Sequence, residues 1–167
     1  GYAAALAKGE AEANLCSPGG GAVIKAIAEI TGGAAGELEE KTAMVMCMGS
    51  LDHVEFKAEY PQGLQTCAAA AAVPGGILSC SFGCLGFGDC LESCNYDAIE
   101  ICNGVARIRP KFCVACTMCV KACPKNIIKM IPVKEQAVVR CMNKDRGALA
   151  AKVCKVACIG CMKCVKA

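Results

Sequence analysis

Residues 113–124 read Cys113-Val-Ala-Cys116-Thr-Met-Cys119-Val-Lys-Ala-Cys123-Pro124, a C-x2-C-x2-C-x3-C-P run. In bacterial iron–sulfur ligation of this spacing, three close thiolates take one cluster and the fourth reaches over to a second. Pro124 suits the first turn of a helix, where a missing N–H costs nothing. The partner half lies upstream as Cys80-x3-Cys84-x5-Cys90-x3-Cys94, with Phe87 where a middle cysteine belongs. Cys80 is the candidate for the missing thiolate. The spacing therefore predicts one [4Fe–4S] cluster on Cys80, Cys84, Cys90 and Cys123, and a second on Cys94, Cys113, Cys116 and Cys119.

Composition agrees. The 167 residues include 17 cysteines, above the level that already marks a special class. Disulfides fit poorly: the count is odd, no signal peptide is visible, and a C-x2-C-x2-C run crowds thiols too closely for local pairing. Structural zinc favours two separated C-x2-C pairs over a triplet closed by C-P. Coordinated thiolates of this kind imply a reducing, cytoplasmic setting. Aromatic residues make up only 4% and tryptophan is absent, so bound clusters would stand in for bulky core, with folding and cofactor binding as one event. No apolar run approaches the roughly 18 residues of a membrane span.

Charge divides the chain. Residues 1–100 hold 4 Lys/Arg against 13 Asp/Glu (−9), and residues 101–167 hold 14 against 2 (+12). The basic half either offsets cluster charge or steers an acidic redox partner; replacing Lys125 and Lys129 would test the second. The near absence of stacking aromatics argues against nucleic acid.

In order, Tyr2–Ala13 carries an alanine-rich helical pattern. Ser17-Pro18 opens a helix with Val23, Ile24, Ile27 and Ile30 at helical spacing, stopped at Thr31-Gly-Gly33. Glu37–Lys41 is a charged connector. Thr42–Met48 reads as a buried strand, and Val54, Phe56 and Ala58 alternate like a half-buried one. Tyr60–Gly63 is a turn and Leu64–Val73 a short helix. His53, the only histidine, reads as a surface residue rather than a ligand. The glycine clusters at 19–21 and 32–36 lack the setting of a nucleotide loop and read as turns.

Two repeats emerge. Cys90–Ile99 matches Cys119–Ile128, each half ending in a strand, and Asn103-Gly104 suits a two-residue hairpin turn. Cys102, beside that turn, reads as structural. At longer range, Cys67-x12-Cys80-x3-Cys84-x5-Cys90 recurs as Cys141-x12-Cys154-x3-Cys158-x5-Cys164, the mark of a second copy of one module. In that copy Cys161 holds the place of Phe87, and the next cysteine in register would fall past Ala167. Cys158, Cys161 and Cys164 therefore need a ligand that this sequence lacks. Cys47, Cys67, Cys141 and Cys154 stand open between ligands and buried small hydrophobes.

Taken together, Asn14-x-Cys16-x-Pro-Gly-Gly, Tyr60-x2-Gly63-x3-Cys67, Gly83-Cys-Leu-Gly-Phe-Gly-Asp-Cys90, the C-P run and Cys158-Ile-Gly-Cys161 resemble the B subunits of Rnf complexes. These are membrane-bound ferredoxin:NAD+ oxidoreductases that couple electron flow to ion pumping. Asn95 departs from the proline that usually follows the fourth cysteine. The resemblance implies that Cys16 is the fourth ligand of an N-terminal cluster whose other ligands, with a membrane anchor, lie upstream of Gly1. It implies reduced ferredoxin as donor, other Rnf subunits as partners, and the cytoplasmic face of a prokaryotic membrane as location. The expected fold is α+β: the tail of an N-terminal 4Fe-4S domain (1–40), a strand/helix connector (41–78), a two-cluster ferredoxin-like domain (79–135) and a truncated second one (136–167).

No acid–base pair, nucleophile or nucleotide loop stands out. The chain reads as an electron relay, with enzymatic activity belonging to the complex. The rival readings are a soluble polyferredoxin or electron-input subunit of another oxidoreductase, a zinc-stabilised interaction module, and an iron–sulfur redox sensor.

Overall fold

A computed structural model of the chain describes residues 1–33, 39–57, 63–134 and 137–166. Ala58, residues 60–62 of the expected turn, residues 34–36 of the second glycine cluster and residues 37–38 of the charged connector lie outside the described residues. The chain is a small mixed helix/strand protein.

Helix α1 (Tyr2–Ala7) is shorter than the alanine pattern suggested. The Tyr2 hydroxyl donates to the carbonyls of Glu12 and Ala13, folding the next segment back on the helix. Helix α2 (Gly20–Thr31) follows a 3-10 turn at Ser17–Gly19 and stops at Gly32, whose φ of +67° suits glycine. Ile24 and Ala28 bury against Ala13, whereas Ile30 is 85% exposed, so only one narrow stripe of the expected apolar face is used.

Strand β1 (Lys41–Val45) pairs antiparallel with β4 (Ile128–Pro132), in a register that sets Val45 opposite Ile128 and Lys41 opposite Pro132. Bonds from Met46 N–H to Ile127 O and from Val133 N–H to Glu40 O, both 2.8 Å, extend the ladder at each end. The strand expected from the Thr42–Met48 run thus docks far down the chain. Beyond it, Val54 is buried, but among its described residues the alternating segment yields one isolated bridge, between Phe56 and Leu78.

Helix α3 (Cys67–Ala71) starts where the Thr66 side chain accepts a bond from Ala69 N–H. Helix α4 (Asp89–Glu92), strand β2 (Ile99–Cys102), strand β3 (Val105–Ile108) and helix α5 (Met118–Ala122) then lead to β4. Strands β2 and β3 form the expected hairpin, with Asn103 and Gly104 both at positive φ, as a type I′ turn requires. Helix α5 comes before Cys123 rather than after it. Pro124 begins a turn that Asn126, at φ +53°, delivers into β4.

The internal two-fold is written in the backbone. Gly86, Gly88 and Asp97 have positive φ, and so do Ala115, Thr117 and Asn126, each 29 residues later. Gly160 and Met162, 74 residues after Gly86 and Gly88, repeat the first two of these and lead into helix α7 (Lys163–Lys166). Helix α6 (Ala148–Val153) precedes that loop. At Gly86 the space is also lacking, since a Cβ would lie 2.6 Å from the Gly104 carbonyl oxygen.

The main core joins Ala43 and Val45 of β1 to Ile99, Val105, Ala106, Ile127 and Ile128, with the thiols of Cys47, Cys84, Cys90 and Cys119 among them. Val45 and Ile128 are each 1% exposed. Ile128→Ala should therefore destabilise the fold by about 2–5 kcal/mol through lost burial and an unfilled cavity. Chemical denaturation of the anaerobic protein followed by circular dichroism checks this; a loss under about 1 kcal/mol would mean that β1–β4 packing does not hold the sheet.

Candidate metal centres

The apolar interior opens into three cavities, each bordered by four cysteines. The first is lined by Cys67, Cys84, Cys90 and Cys123 together with Val45, Ile101, Ala106, Ile127 and Ile128. The second has Cys94, Cys113, Cys116 and Cys119 around it, with Ala43, Ile99 and Ile108. The third has Cys47, Cys80, Cys141 and Cys154, with Val54, Phe82 and Arg140. All seventeen cysteines are free thiols.

The second ring brings together the four residues that the spacing grouped. The loop from Cys113 to Thr117 turns back at Ala115 (φ +58°) and Thr117 (φ +65°), and Cys119 then enters α5. Such left-handed steps turn successive N–H groups inward, a concavity suited to an anionic centre. From β1, Ala43 N–H donates to Cys113 Sγ at 3.4 Å.

The first ring differs from the expected set in one member. Cys80 lines the third cavity, and Cys67 stands beside Cys84, Cys90 and Cys123. The cause is local. Phe87, in the position of the missing cysteine, packs on the cluster formed by Ala70 of α3 with Ile77 and Leu78. The Asp89 carboxylate accepts bonds from Cys67 N–H (2.6 Å) and Ala68 N–H (3.0 Å). Burial works to raise the Asp89 carboxyl, but these two N–H groups outweigh it and hold the value below the ordinary one. Phe87 and Asp89 thus fix the start of α3, which carries Cys67 to the cavity. The signal in sequence was the shared register of Cys67 and Cys141.

Burial pushes five of these thiols up. Cys90 rises to about 12, first from desolvation and then from crowding by Cys84, Cys67, Cys123 and Cys119. Cys119 rises to about 11 for the same reason, beside Cys113, Cys116 and Cys94. Burial likewise raises Cys84, Cys80 and Cys154. These thiols are neutral at neutral pH unless a cation takes the proton's place.

Four sulfurs held about 2.3 Å from one zinc would lie within about 4 Å of each other. Among the described residues, no three His, Cys, Asp or Glu side chains converge as a single-ion site. The thiols that line the first two cavities supply the all-sulfur donor set that a [4Fe–4S] cluster takes.

The remaining candidates stand apart. Cys16 follows the 3-10 turn at Ala13–Leu15 and borders none of the three cavities. Cys158 is half-buried and Cys161 and Cys164 are exposed. Cys102 ends β2, its thiol raised by burial and then by a bond to Glu100. His53 is half-buried, with Nδ1 2.8 Å from Ser50 Oγ.

Residues 106–129 match the 4Fe-4S binding domain family. Similarity to whole proteins extends much further. The B subunit of the Na(+)-translocating ferredoxin:NAD(+) oxidoreductase complex of Acetobacterium woodii is 40% identical over 157 residues, 93% of this chain and 47% of that protein. The B subunit of the proton-translocating complex of Clostridium ljungdahlii is 38% identical over 87% of the chain and 51% of its own length. The B subunit of the ion-translocating oxidoreductase complex of Methanosarcina acetivorans is 32% identical over 98% and 62%. The chain spans roughly half to three-fifths of the length of these relatives. Along nearly its whole length, then, this chain is similar to the B subunits of ion-translocating ferredoxin:NAD(+) oxidoreductase complexes, and its residues 106–129 match the 4Fe-4S binding domain family.

Proposed function

We propose that the chain is an iron–sulfur electron relay of such a complex, taking single electrons from reduced ferredoxin and handing them to other subunits. The observation that carries this reading is the pair of four-cysteine rings, related by the 29-residue backbone repeat, that spans the 4Fe-4S binding domain. Bound there, a [4Fe–4S] cluster supplies one-electron redox capacity. Cys67, Cys84, Cys90 and Cys123 would hold one, and Cys94, Cys113, Cys116 and Cys119 the other.

The chain's own residues then act on that capacity. Val45, Ile127 and Ile128 keep water from the first ring, and Ala43 N–H bonds a sulfur of the second; burial and N–H···S bonds are two of the levers that set reduction potential. The return of positive φ at Gly160 and Met162 before α7 supports a second ferredoxin-like unit beginning near residue 136, whose Cys158, Cys161 and Cys164 would share a cluster with a ligand beyond Ala167. Residues 1–40 would be the tail of an N-terminal cluster domain with Cys16 as its ligand, and 41–78 a connector lending β1 and Cys67. Among the described residues no helix is long and apolar enough to cross a membrane.

Docking would use the basic half. Among the described residues, the only ion pairs join Glu39 to Lys41 and to Lys134, which leaves Lys121 and Lys129 exposed and free to meet an acidic partner. Lys125, by contrast, lines the first cavity.

Three outcomes follow from this reading. Lys121→Glu with Lys129→Glu should slow electron uptake from reduced ferredoxin by roughly tenfold at low salt, with the difference fading as salt screens it; stopped-flow rates that match the parent at low salt would remove the docking surface. Cys67→Ala should cost about four irons per chain and the first ring's EPR signal, where a fourth ligand at Cys80 would leave both intact. Because the buried thiols keep their protons at neutral pH, iron must displace them, so cluster loading weakens as pH falls. Iron per chain after anaerobic reconstitution should drop between about pH 8 and about pH 6, and a flat profile would mean that the thiols are already ionised.

A further inference from the structure

The 29-residue backbone repeat lets the walls of the first two cavities be compared position by position. Leu85, Ile127 and Ile128 border the first, and Val114, Ala98 and Ile99, related to them by that spacing, border the second. Both walls are apolar at these positions. They differ in charge at two others. Asp89 stands where the second wall has Met118, and Lys125 where it has Tyr96. We propose that the Lys125 ammonium tunes the cluster of the first ring, raising its reduction potential relative to that of the second. This rests on the reading that clusters fill both rings, and goes beyond it.

Local backbone puts the two side chains in matching places. Each follows a ring cysteine by two residues, Tyr96 after Cys94 and Lys125 after Cys123. Each also precedes a left-handed residue, Asp97 at φ +49° and Asn126 at φ +53°. At the first ring a 3.0 Å bond from Asn126 N–H to Cys123 O closes the turn. The turn that delivers Ile127 and Ile128 into the core thus lays Lys125, half-buried, along the cavity wall. Its ammonium lies no farther from that wall than the length of its own side chain. Tyr96, in the equivalent place, brings a phenol ring to the second wall and is 44% exposed.

Of the two charges on the first wall, that of Asp89 is already engaged. Its carboxylate accepts from Cys67 N–H and Ala68 N–H at the start of α3. Lys125 forms no ion pair among the described residues, so its charge is the one left to act on the cavity. Reduction moves one electron from the donor, which is oxidised, onto the cluster, and no bond forms or breaks. A nearby cation stabilises the added negative charge, most strongly where apolar walls keep water and its screening away. Cys84 and Cys90 are buried, with Val45, Ile127 and Ile128 closing the wall beside them. The field of Lys125 therefore reaches the first ring with little screening.

This role separates Lys125 from the docking lysines. Lys121 and Lys129 are exposed, so they act on the approach of a partner and lose their effect in salt. A charge beside the cavity acts on where the electron rests once it has arrived, and salt screens it far less. With an ammonium at one position and a phenol at its counterpart, the two halves of a symmetric unit become unequal, and an electron shared between them is drawn toward the first ring.

The test is an EPR-monitored redox titration of the anaerobically reconstituted 167-residue chain and of its Lys125→Gln, Lys125→Arg and Tyr96→Lys variants, at low and high salt. The signal lost in Cys67→Ala identifies the first ring. Lys125→Gln should keep the iron and sulfide content and shift the electron distribution about tenfold toward the second ring, a fall of about 59 mV in the first ring's one-electron midpoint. The same shift should appear at both salt concentrations. Lys125→Arg should hold the parent's midpoint, and Tyr96→Lys should raise the second ring's midpoint while leaving the first in place. Unchanged midpoints in Lys125→Gln and Tyr96→Lys would overturn the assignment and leave the relay standing. Loss of iron in Lys125→Gln with no shift in Tyr96→Lys would do the same, making Lys125 part of the wall rather than a working charge. A parent with zinc or no iron would overturn both the assignment and the relay.

Discussion

Four thiols packed around a largely apolar cavity resist becoming anions together, because burial strips their hydration and each thiolate repels the next. Burial accordingly holds Cys90 and Cys119 well above the ordinary thiol range, so these two keep their protons at neutral pH. Much else depends on the same fact. The chain has few large apolar side chains, and its principal core is stitched through cysteines: Cys47, Cys84, Cys90 and Cys119 are among its buried members. A centre that binds sulfur at four points would hold together segments that have little else in common, which is how small cofactor-dependent domains fold.

The sheets are correspondingly slight. Each has two strands, a size that is marginal without further cover. Strand β1 becomes useful because its inner residues serve two purposes. Val45 packs opposite Ile128 while bordering the first cavity, and Ala43 donates from its backbone to Cys113 of the second. A strand from the N-terminal half is thereby tied to both rings, and the following residues place Cys47 at the third. Cross-links from the last segment reinforce this: Lys155 N–H bonds His53 O at 3.1 Å, and Ser79 Oγ donates to Val153 O at 2.9 Å.

What could be read directly was what depends on nearby residues. The ring of Cys94, Cys113, Cys116 and Cys119 is largely one loop plus its symmetry mate, and the Asn103-Gly104 turn is decided by two residues. The type of element was also legible for α2 and β1, where apolar spacing is strong. What failed to show was pairing over distance. Nothing in Lys41–Val45 announces Ile128–Pro132 as its partner, since hydrophobic pattern specifies a face and not a neighbour. Likewise Cys67 and Cys80 offer the same side chain upstream of Cys84, and spacing alone favours the nearer. The choice is made by Phe87 and Asp89, whose packing and N–H bonds set the start of α3. Where the alternation of Val54 and Phe56 suggested a strand, only a single bridge formed, because one short neighbour at Leu78 gives no sheet to extend.

The repeat register reveals a logic that neither copy shows by itself. A module with three cysteines in its loop needs one thiol from outside, and a module with two needs a second outside thiol. In the first copy Phe87 stands where the loop cysteine would be, Cys67 lines the cavity, and Cys80 lies outside it. The second copy has Cys161 in that place, and the counterparts Cys141 and Cys154 line a separate cavity with Cys47 and Cys80.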